Sequence, residues 1–489
     1  MLKEVNEKGF YRGVVVVSSK QNSTKTTFSD RFTMFFDRWT PNAMVFAIGL
    51  TIIVAVLALI FTETPVLFDS AAGNMSLVNS WVAGFWNLLT FSMQMSLIMI
   101  TGNVIAISPP VQKLIRKLAM LPNNWFQAYA MIVFIAWILG YIHWGIGMMV
   151  SIALLRNTIV ASRDKGYPLH SPALISAAYC CLIPAVGISQ AAPLYAATPG
   201  FLKTLCNTEA AINYLADVYP LSDSVLSWWN LLQCVILFVM VFIIGYVIMP
   251  KDKQKMIGCS DELYNDVKHT QTMYDAKADR STPANFMNNT PLFSLIMGVV
   301  GLIWCVMLYA KNGFDGLTIN NFNFTMLMLG MVLCGTPERF SKACIASVGS
   351  VWGVVIQFPL YAGIFGIIVN TGLAHVFSDA FMAISTTKTF PEVTYIYSAI
   401  LNMAVPSGGS KFIIEAPYLL DVAAKLNVSV PKILCAYTFG DQTTNIIQPF
   451  WALPYLTLCH IDFKKMMPYT MVVCFGALIV CSIFFLTVY

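Results

Sequence analysis

The sequence predicts an all-α polytopic membrane protein with two inverted repeats, about nine spans, two re-entrant hairpins and discontinuous helices at mid-membrane. The composition is the first reason, since 57% of the 489 residues are hydrophobic and only 11% are charged, against roughly 25% in soluble domains. The second reason is a series of apolar stretches that are long enough to cross a bilayer. The third is a pair of glycine-containing polar segments that lie among these stretches and suit lipid poorly.

The elements follow in order from the N-terminus. Residues 1–27 are predicted to form a polar cytoplasmic tail. Residues 28–40 place Phe28, Phe32 and Phe35 on one helical face, which is typical of an amphipathic helix at the membrane interface. The predicted spans are 41–61, 82–106, 170–190, 226–249, 291–311, 320–336, 343–369, 431–456 and 468–489.

Two segments, 126–155 and 392–415, are predicted to enter and leave the membrane on one side as hairpins. With this topology the N-terminus is cytoplasmic, the C-terminus is outside, and 23 of the 29 lysines and arginines lie on the cytoplasmic side, as the positive-inside rule requires. Non-helical backbone at membrane depth is tolerated only where protein or a water-filled cavity satisfies it. The basic residues on the other side are Lys203, Lys311, Lys388, Lys411, Lys425 and Lys432.

A weak internal repeat supports this topology. Gln94 and Gln357 are 263 positions apart, and so are Gly145 and Gly408. The pattern I-x-Q followed by proline, an aromatic residue and alanine also occurs twice, at Ile188 and in the second half of the chain. We therefore expect repeat one at 41–249, a cytoplasmic loop at 250–290, a linking span at 291–311 and an inverted repeat two at 312–489, an arrangement typical of secondary transporters.

The segment PSGGS, residues 406–410, is predicted to be the tip of the second hairpin. Gly408 and Gly409 allow a tight turn and a close backbone approach. Ser407 and Ser410 offer hydroxyl groups that can bind a ligand or cap the second half-helix. The N–H groups at the start of a helix suit a carboxylate, so these four residues are predicted to bind substrate.

A second polar cluster, FGDQTTNIIQP, is predicted to break a span. Gly440 is expected to end one half-helix and Asp441 to cap the next. A carboxylate is costly at the centre of a membrane helix, by roughly 2.5–3.5 kcal/mol, so Asp441 is predicted to couple transport to Na⁺ or H⁺, with a pure capping role as the alternative. The predicted substrate-binding residues of this cluster are Gln442, Thr443, Asn445 and Gln448.

The matching positions of the first half contribute the other predicted site residues. His143 is a second candidate for ion coupling, as a proton relay, although a histidine at an aqueous hairpin tip or one hydrogen-bonded in the core is the plainer alternative. Lys411 and Glu415 are four residues apart on one helix and can pair, although lysine before glutamate is the weaker orientation, and contact of Lys411 with a substrate carboxylate is the alternative. The predicted substrate-binding residues here are Trp144, Gly145, Gly147, Ser189 and Gln190.

Several motifs are absent from the sequence. There is no nucleotide-binding loop, and the twelve cysteines show no metal-ligand spacing. We therefore expect no metal, no cofactor and no nucleic-acid partner. The expected partners are the lipid bilayer, a substrate and a coupling ion, which is H⁺ or Na⁺.

The motifs PSGGS, GDQTTNIIQPFWALP and AAPLYAATPG resemble those of the short-chain fatty acid transporter family. The resemblance runs over nearly the whole chain from about Phe28. It implies a carrier of acetoacetate, butyrate or a similar monocarboxylate in the inner membrane of a bacterium, an elevator-like mechanism and a homodimer. The family commonly has asparagine where this chain has His143, and often glutamate where it has Asp441.

Other functions compete with this interpretation. A cation/proton antiporter, or a carrier of other organic anions from the same superfamily, would use the same breaks without taking up short-chain acids. An intramembrane aspartyl protease would need glycine where Thr438 stands, so an enzyme is not expected. A scaffold would not require polar breaks at matched positions of two repeats.

Overall fold

The computed structural model describes residues 43–69, 75–86, 89–250, 252, 256–274, 280–348, 351–403 and 408–489. The predicted tail at 1–27 and interfacial helix at 28–40 lie outside these residues. Within them the chain is helical and contains no strand. The predicted all-α class is therefore confirmed for the described part of the chain.

The described helices of the first half lie between Ala43 and Ile248. Short 3₁₀ turns lie at Ile183–Ala185 and Leu221–Asp223. The α-helices are α1 Ala43–Phe61, α2 Leu77–Trp86, α3 Leu89–Ile107, α4 Pro109–Ala119, α5 Trp125–Ile142, α6 Trp144–Lys165, α7 Ser171–Cys180, α8 Ala191–Ala196, α9 Phe201–Thr204, α10 Glu209–Tyr214 and α11 Trp228–Ile248.

The helices of the second half include two within the segment that was predicted to be a loop at 250–290. A 3₁₀ turn lies at Gly313–Gly316. The α-helices are α12 Asp261–Tyr274, α13 Pro283–Asn288, α14 Leu292–Asn312, α15 Ile319–Cys334, α16 Pro337–Val348, α17 Trp352–Asn370, α18 Leu373–Ile384, α19 Phe390–Asn402, α20 Gly408–Lys425, α21 Val430–Asn445, α22 Pro449–Leu458 and α23 Phe463–Thr487.

Among the described residues, five helices are long and apolar enough to cross a membrane, or up to seven if two bent pairs each count as one span. The bends are 59° between α3 and α4 and 79° between α17 and α18. Helices α4 and α18 begin at Pro109 and Leu373. These two starting positions are 264 residues apart, which differs by one residue from the 263-position offset of the predicted repeat. The count of nine spans and the inverted repeat stay predictions.

Helices α5 and α6 form the first predicted hairpin, which is longer than the expected 126–155. The chain turns at His143, where the backbone is extended, with φ −155° and ψ 110°. Lys165, at the far end of α6, donates to the carbonyl oxygen of Pro122 and to Asn123 Oδ1, each at 3.0 Å, and so returns to the start of α5. Both ends of the pair therefore lie together, as a re-entrant hairpin requires.

Helices α19 and α20 repeat this arrangement in the second half. They span Phe390 to Lys425, and residues 404–407 between them are outside the described residues. The Thr387 hydroxyl donates to the carbonyl oxygen of Leu426 at 3.1 Å, which joins the two ends of the pair. The position of both hairpins in a bilayer stays a prediction.

The predicted break at Gly440 is wrong. Helix α21 runs without interruption from Val430 to Asn445, so Asp441 lies within the helix and does not cap one. Gly440 serves close packing instead, because a Cβ there would lie 2.3 Å from the carbonyl oxygen of Tyr395. The helix stops before Pro449, which lacks an N–H group and disfavours helical backbone at the preceding residue.

The real breaks coincide with the repeated I-x-Q pattern. Break one is residues 186–190, between the 3₁₀ turn Ile183–Ala185 and α8. Break two is residues 446–448, between α21 and α22. Each break ends on the glutamine of the pattern, and each is followed at once by a helix. Tyr179 of α7 links the two halves, since its hydroxyl donates to the carbonyl oxygen of Asn445 at 2.7 Å.

The segment at 250–290 packs on the first hairpin through helix α12. Arg156 of α6 forms an ion pair with Asp266. Lys268 lies 2.9 Å from Asp164. The contact raises the pKa of Lys268, chiefly through the hydrogen bond to the Asp164 carboxylate. Both ion pairs are partly solvated, so each adds only modestly to the stability of the fold.

Candidate substrate site

A cavity lies where the two hairpin tips approach the two breaks. Its volume is about 130 Å³, many times the roughly 10–15 Å³ that one water molecule needs. Its walls come from helices α3, α6, α8, α17, α20, α21 and α22. Such a cavity can hold a small organic molecule together with water.

The first-half side of the cavity is formed by the start of α6 and by break one. The backbone N–H of Trp144 donates to Ser189 Oγ at 2.8 Å, which fastens the hairpin tip to the break. The N–H of Ile188 donates to the carbonyl oxygen of Tyr141 at 2.9 Å. The close approach requires Gly187, since a Cβ there would lie 2.0 Å from that same oxygen.

His143 caps helix α6 and does not line the cavity. Its Nδ1 accepts hydrogen bonds from the N–H groups of Gly145 at 3.0 Å and Ile146 at 3.2 Å. The side chain is fully buried, and its Nε2 has no hydrogen-bond partner among the described residues. These contacts are those of a helix cap, a role that asparagine also fills. The predicted ion-coupling role of His143 stays a prediction.

The second-half side of the cavity is formed by the start of α20 and by α21. The Tyr437 hydroxyl donates to the carbonyl oxygen of Gly408 at 2.9 Å and so fixes the first turn of α20. A Cβ on Gly408 would lie 2.8 Å from Asp441 Oδ2, so the glycine lets the tip approach the carboxylate. Gly408 and Gly409 both line the cavity, where their N–H groups belong to the first turn of a helix.

An amide network holds the end of α21 against α19. Asn402 Nδ2 lies within hydrogen-bond distance of three acceptors, at 2.9 Å from the carbonyl oxygen of Asp441, 3.0 Å from Thr444 Oγ1 and 2.7 Å from Asn445 Oδ1. Gln448 Nε2 donates in turn to the carbonyl oxygen of Asn402 at 2.7 Å. These contacts orient the polar end of α21 toward the cavity and satisfy backbone carbonyls near break two.

Asp441 is the one charged side chain among the described residues that line the cavity. It is only 2% exposed. Its Oδ2 accepts from Asn445 Nδ2 at 3.2 Å and from Gln442 Nε2 at 3.4 Å. Its Oδ1 lies 3.5 Å from the Nζ of Lys411. A buried carboxylate needs such a partner, because an isolated charge in an apolar interior is strongly disfavoured.

The expected pairing of Lys411 with Glu415 is wrong. Lys411 is fully buried and forms its ion pair with Asp441 on the neighbouring helix. Its Nζ also donates to the carbonyl oxygen and to the Oγ of Ser398, at 2.9 and 2.7 Å. The ammonium lies 4.5 Å from the centre of the Tyr437 ring. Lys411 is not among the residues that line the cavity, so direct contact with a substrate carboxylate is not supported in this conformation.

The predicted site residues divide into two groups. Those that line the cavity are Trp144, Gln190, Gly408, Gly409, Asp441, Gln442 and Asn445. Those that support the site from behind, or pack beside it, are His143, Gly145, Gly147, Ser189, Ser410, Thr443 and Gln448. Ser407 lies outside the described residues. The binding roles themselves stay predictions.

The sequence did not predict the contribution of α3 and α17 to the cavity. Their apolar faces form one wall, which includes Gln357 as a polar member. The repeat offset that relates Gln94 to Gln357 is the signal that could have found this glutamine. The residues missed are Met95, Met99, Met148, Leu182, Ala191, Ala192, Gln357, Phe358, Tyr361, Tyr437 and Thr438.

The chemistry of the cavity suits binding. No group of three or more His, Cys, Asp or Glu side chains in the described ranges could hold a metal ion. The described walls combine aromatic and thioether surface with amide groups and the carboxylate of Asp441, which Lys411 balances from behind. This combination can hold a small amphipathic molecule with one polar end.

Comparisons with known proteins agree on one family. A family model described as "Short chain fatty acid transporter" matches residues 25–487. A relative from Escherichia coli (strain K12), named for short-chain fatty acid transport, is 32% identical over 93% of this chain and 96% of its own length. A relative of similar name from Haemophilus influenzae (strain ATCC 51907 / DSM 11121 / KW20 / Rd) is 32% identical over 90% of this chain and 94% of its own.

A solved structure is similar in fold. The crystal structure of the Alcanivorax borkumensis YdaH transporter, described as having an unusual topology, matches 90% of this chain and 97% of its own with a TM-score of 0.51. Its sequence identity is 15%, so the likeness concerns the fold alone. The apolar helices and these relatives identify a membrane-embedded transporter and not an enzyme. The chain belongs to the short-chain fatty acid transporter family.

Proposed function

We propose that the protein is a secondary symporter for short-chain monocarboxylates such as butyrate and acetoacetate. Substrate binds in the cavity between the hairpin tips and the breaks, and the site opens alternately to the two sides of the membrane. The protein acts in the cytoplasmic membrane, with the N-terminus in the cytoplasm and the C-terminus outside. We extend the proposal to a homodimer, which light scattering of the purified protein in detergent would test.

The single observation that carries this proposal is the composition of the cavity wall. Asp441 is the one charge among its described residues, and Lys411 balances it from behind. The N–H groups of Gly408 and Gly409 and the amides of Gln190 and Gln442 supply neutral donors for one carboxylate. The methionine and aromatic surface suits a short alkyl chain. A dicarboxylate or phosphate would favour an arginine for bidentate binding, and the described wall contains none.

Uptake by proteoliposomes tests the proposal. Purified protein is reconstituted, and uptake of labelled butyrate and acetoacetate is compared with protein-free vesicles under an imposed proton gradient and then a sodium gradient. We expect saturable uptake driven by one of the two gradients, and we expect Asp441→Asn to lose the gradient-driven part. The matched control is Glu338→Gln. In wild type, Glu338 lies on the separate helix α16 and pairs with Lys342 at a distance of 2.9 Å.

One competing function remains specific enough to test in the same vesicles. A cation/proton antiporter would exchange a cation for protons and would leave acid uptake at the protein-free level. The buried carboxylate at Asp441 is the feature that favours this alternative, since such a group can bind a cation or a proton. Cation exchange without acid uptake would replace the symporter by the antiporter.

A further inference from the structure

A second buried carboxyl group lies behind the cavity and has no part in the contacts described so far. Glu415 is on α20, one helical turn beyond Lys411, and is fully buried. Neither of its carboxyl oxygens has a hydrogen-bond partner among the described residues. A structural glutamate would be expected to have such partners, so this group requires an explanation.

Among the described residues, the surroundings of Glu415 contain one cation, Lys411, and that cation is engaged elsewhere. The Lys411 ammonium lies 3.5 Å from Asp441 Oδ1 and donates to two oxygens of Ser398. Lys411 and Asp441 are also the charged groups that act electrostatically on Glu415. The other ionisable groups that face it are the hydroxyls of Tyr397, Tyr418 and Tyr437.

The charges of this cluster do not balance if every group is ionised. One ammonium faces two carboxylates, which leaves one buried negative charge without compensation. Removing a carboxylate from water is strongly disfavoured even after the protein relaxes. A group in this situation takes up a proton instead. The geometry therefore indicates a neutral Glu415 beside a compensated Lys411–Asp441 pair.

We propose that Glu415 carries the proton of the transport cycle and that Lys411 is its switching partner, so that one proton accompanies each monocarboxylate anion. This inference rests on the proposed function and identifies its coupling ion. The proton comes from water on the side where substrate enters, and it leaves to water on the opposite side. No other bond forms or breaks.

The position of Lys411 between two carboxyl groups provides the coupling. While Glu415 is protonated, Lys411 neutralises Asp441, and a substrate anion can enter the cavity beside it. When Glu415 loses its proton, its carboxylate attracts the ammonium four residues away on the same helix. Asp441 then faces the cavity without compensation and repels a bound anion. Proton release and substrate release are thereby linked.

The same geometry disfavours sodium as the coupling ion. A sodium ion at Asp441 would share the carboxylate with the Lys411 ammonium, whose nitrogen is 3.5 Å from Oδ1. Two cations that share one carboxylate repel each other strongly in an interior of low dielectric constant. A proton on Glu415 avoids this repulsion.

Two transport modes separate the proton step from substrate binding. Net uptake into empty vesicles requires the empty carrier to return without its proton. Exchange of labelled for unlabelled butyrate at equal pH requires the loaded carrier alone. Glu415→Gln keeps the shape of a protonated glutamate but cannot release a proton. We expect this variant to lose net uptake to the protein-free level while exchange persists, and we expect Glu338→Gln to match wild type in both modes.

The outcomes distinguish this inference from the proposed function. Absence of both modes in wild type would overturn both. Transport by wild type together with normal net uptake by Glu415→Gln would overturn the role of Glu415 alone. Net uptake by wild type that a sodium gradient drives at equal pH would also overturn it. Should Glu415→Gln fail to fold, this last measurement, which needs wild type alone, still decides the question.

Infrared spectroscopy provides a second readout that does not depend on transport. Purified wild type at neutral pH should show the C=O stretching band of a protonated carboxylic acid. The band should be missing from Glu415→Gln and present in Glu338→Gln. An unchanged band in Glu415→Gln would contradict a protonated Glu415.

Discussion

Replacing Lys411 by methionine should destabilise the protein much more than replacing Lys342, although Lys342 forms the shorter ion pair. The Lys411–Asp441 pair is 3.5 Å long and buried on both sides. The Lys342–Glu338 pair is 2.9 Å long, and its lysine is 73% exposed. Distance alone would rank the two pairs in the opposite order, so the comparison tests the effect of burial.

The magnitude follows from Coulomb's law. At 3.5 Å, with an effective dielectric constant of about 20, the attraction between unit charges is about 5 kcal/mol. Removing one partner of a buried pair commonly costs about 3–5 kcal/mol, because the other charge stays buried without compensation. Lys411→Met should therefore lower the free energy of unfolding by about 3–5 kcal/mol. Lys342→Met should change it by less than about 1 kcal/mol.

Thermal unfolding of the purified variants in detergent, followed by tryptophan fluorescence, measures the difference. The double variant Lys411→Met/Asp441→Asn completes a double-mutant cycle. We expect it to be more stable than Lys411→Met alone, because the amide leaves no buried charge. Additive effects of the two substitutions, or equal effects of Lys411→Met and Lys342→Met, would refute the assignment of a strong buried pair.

Three further substitutions test the structure of the tips and breaks. Gly187→Ala should destabilise the fold by about 1–3 kcal/mol, since its Cβ would lie 2.0 Å from the carbonyl oxygen of Tyr141. An unchanged unfolding temperature would refute the close contact at break one. His143→Leu should lower the free energy of unfolding by about 1–3 kcal/mol, because two N–H groups of α6 lose their acceptor. His143→Asn should retain most of the stability. Equal losses of stability in the two variants would exclude the capping role. Gly408→Ala should reduce butyrate uptake more than it reduces stability, because its Cβ would lie 2.8 Å from Asp441 Oδ2. The control is Gly258→Ala, since Gly258 has open space around it. Normal uptake by Gly408→Ala would contradict the placement of this hairpin tip at the substrate site.

Much of the site was predictable because polar residues are costly in an apolar chain. Asp441 and Gln442 stood out for this reason, Gly408 stood out as part of a glycine pair in a predicted hairpin tip, and all three line the cavity. The two I-x-Q sequences lie at the two breaks, where proline or small residues after the glutamine begin a new helix, but they served only as evidence for the repeat, and the second break was predicted at Gly440. Gln190 was found through that repeat.

The errors have physical causes that a single sequence does not reveal. Glycine is common at helix ends, which led to the prediction of a break at Gly440. The close approach of the Tyr395 carbonyl oxygen is what requires a glycine there. Lys411 and Glu415 have the spacing of a helical pair, but the neighbouring helix supplies Asp441 as a partner for the lysine. An apolar helix face that lines a cavity, such as that of Phe358, has the same composition as one that faces lipid. Contacts between distant segments decide each of these cases.

The most direct test of the central claim is a crystal structure of the protein with 2-bromobutyrate, whose bromine can be located by anomalous scattering. The claim is that the cavity between the hairpin tips and the breaks binds the substrate. We predict one bromine peak within the cavity, near the methionine and aromatic wall, with the carboxylate toward Gly408 and Gly409. An empty cavity at saturating ligand, with the bromine bound at another place in a protein that transports butyrate, would contradict the claim.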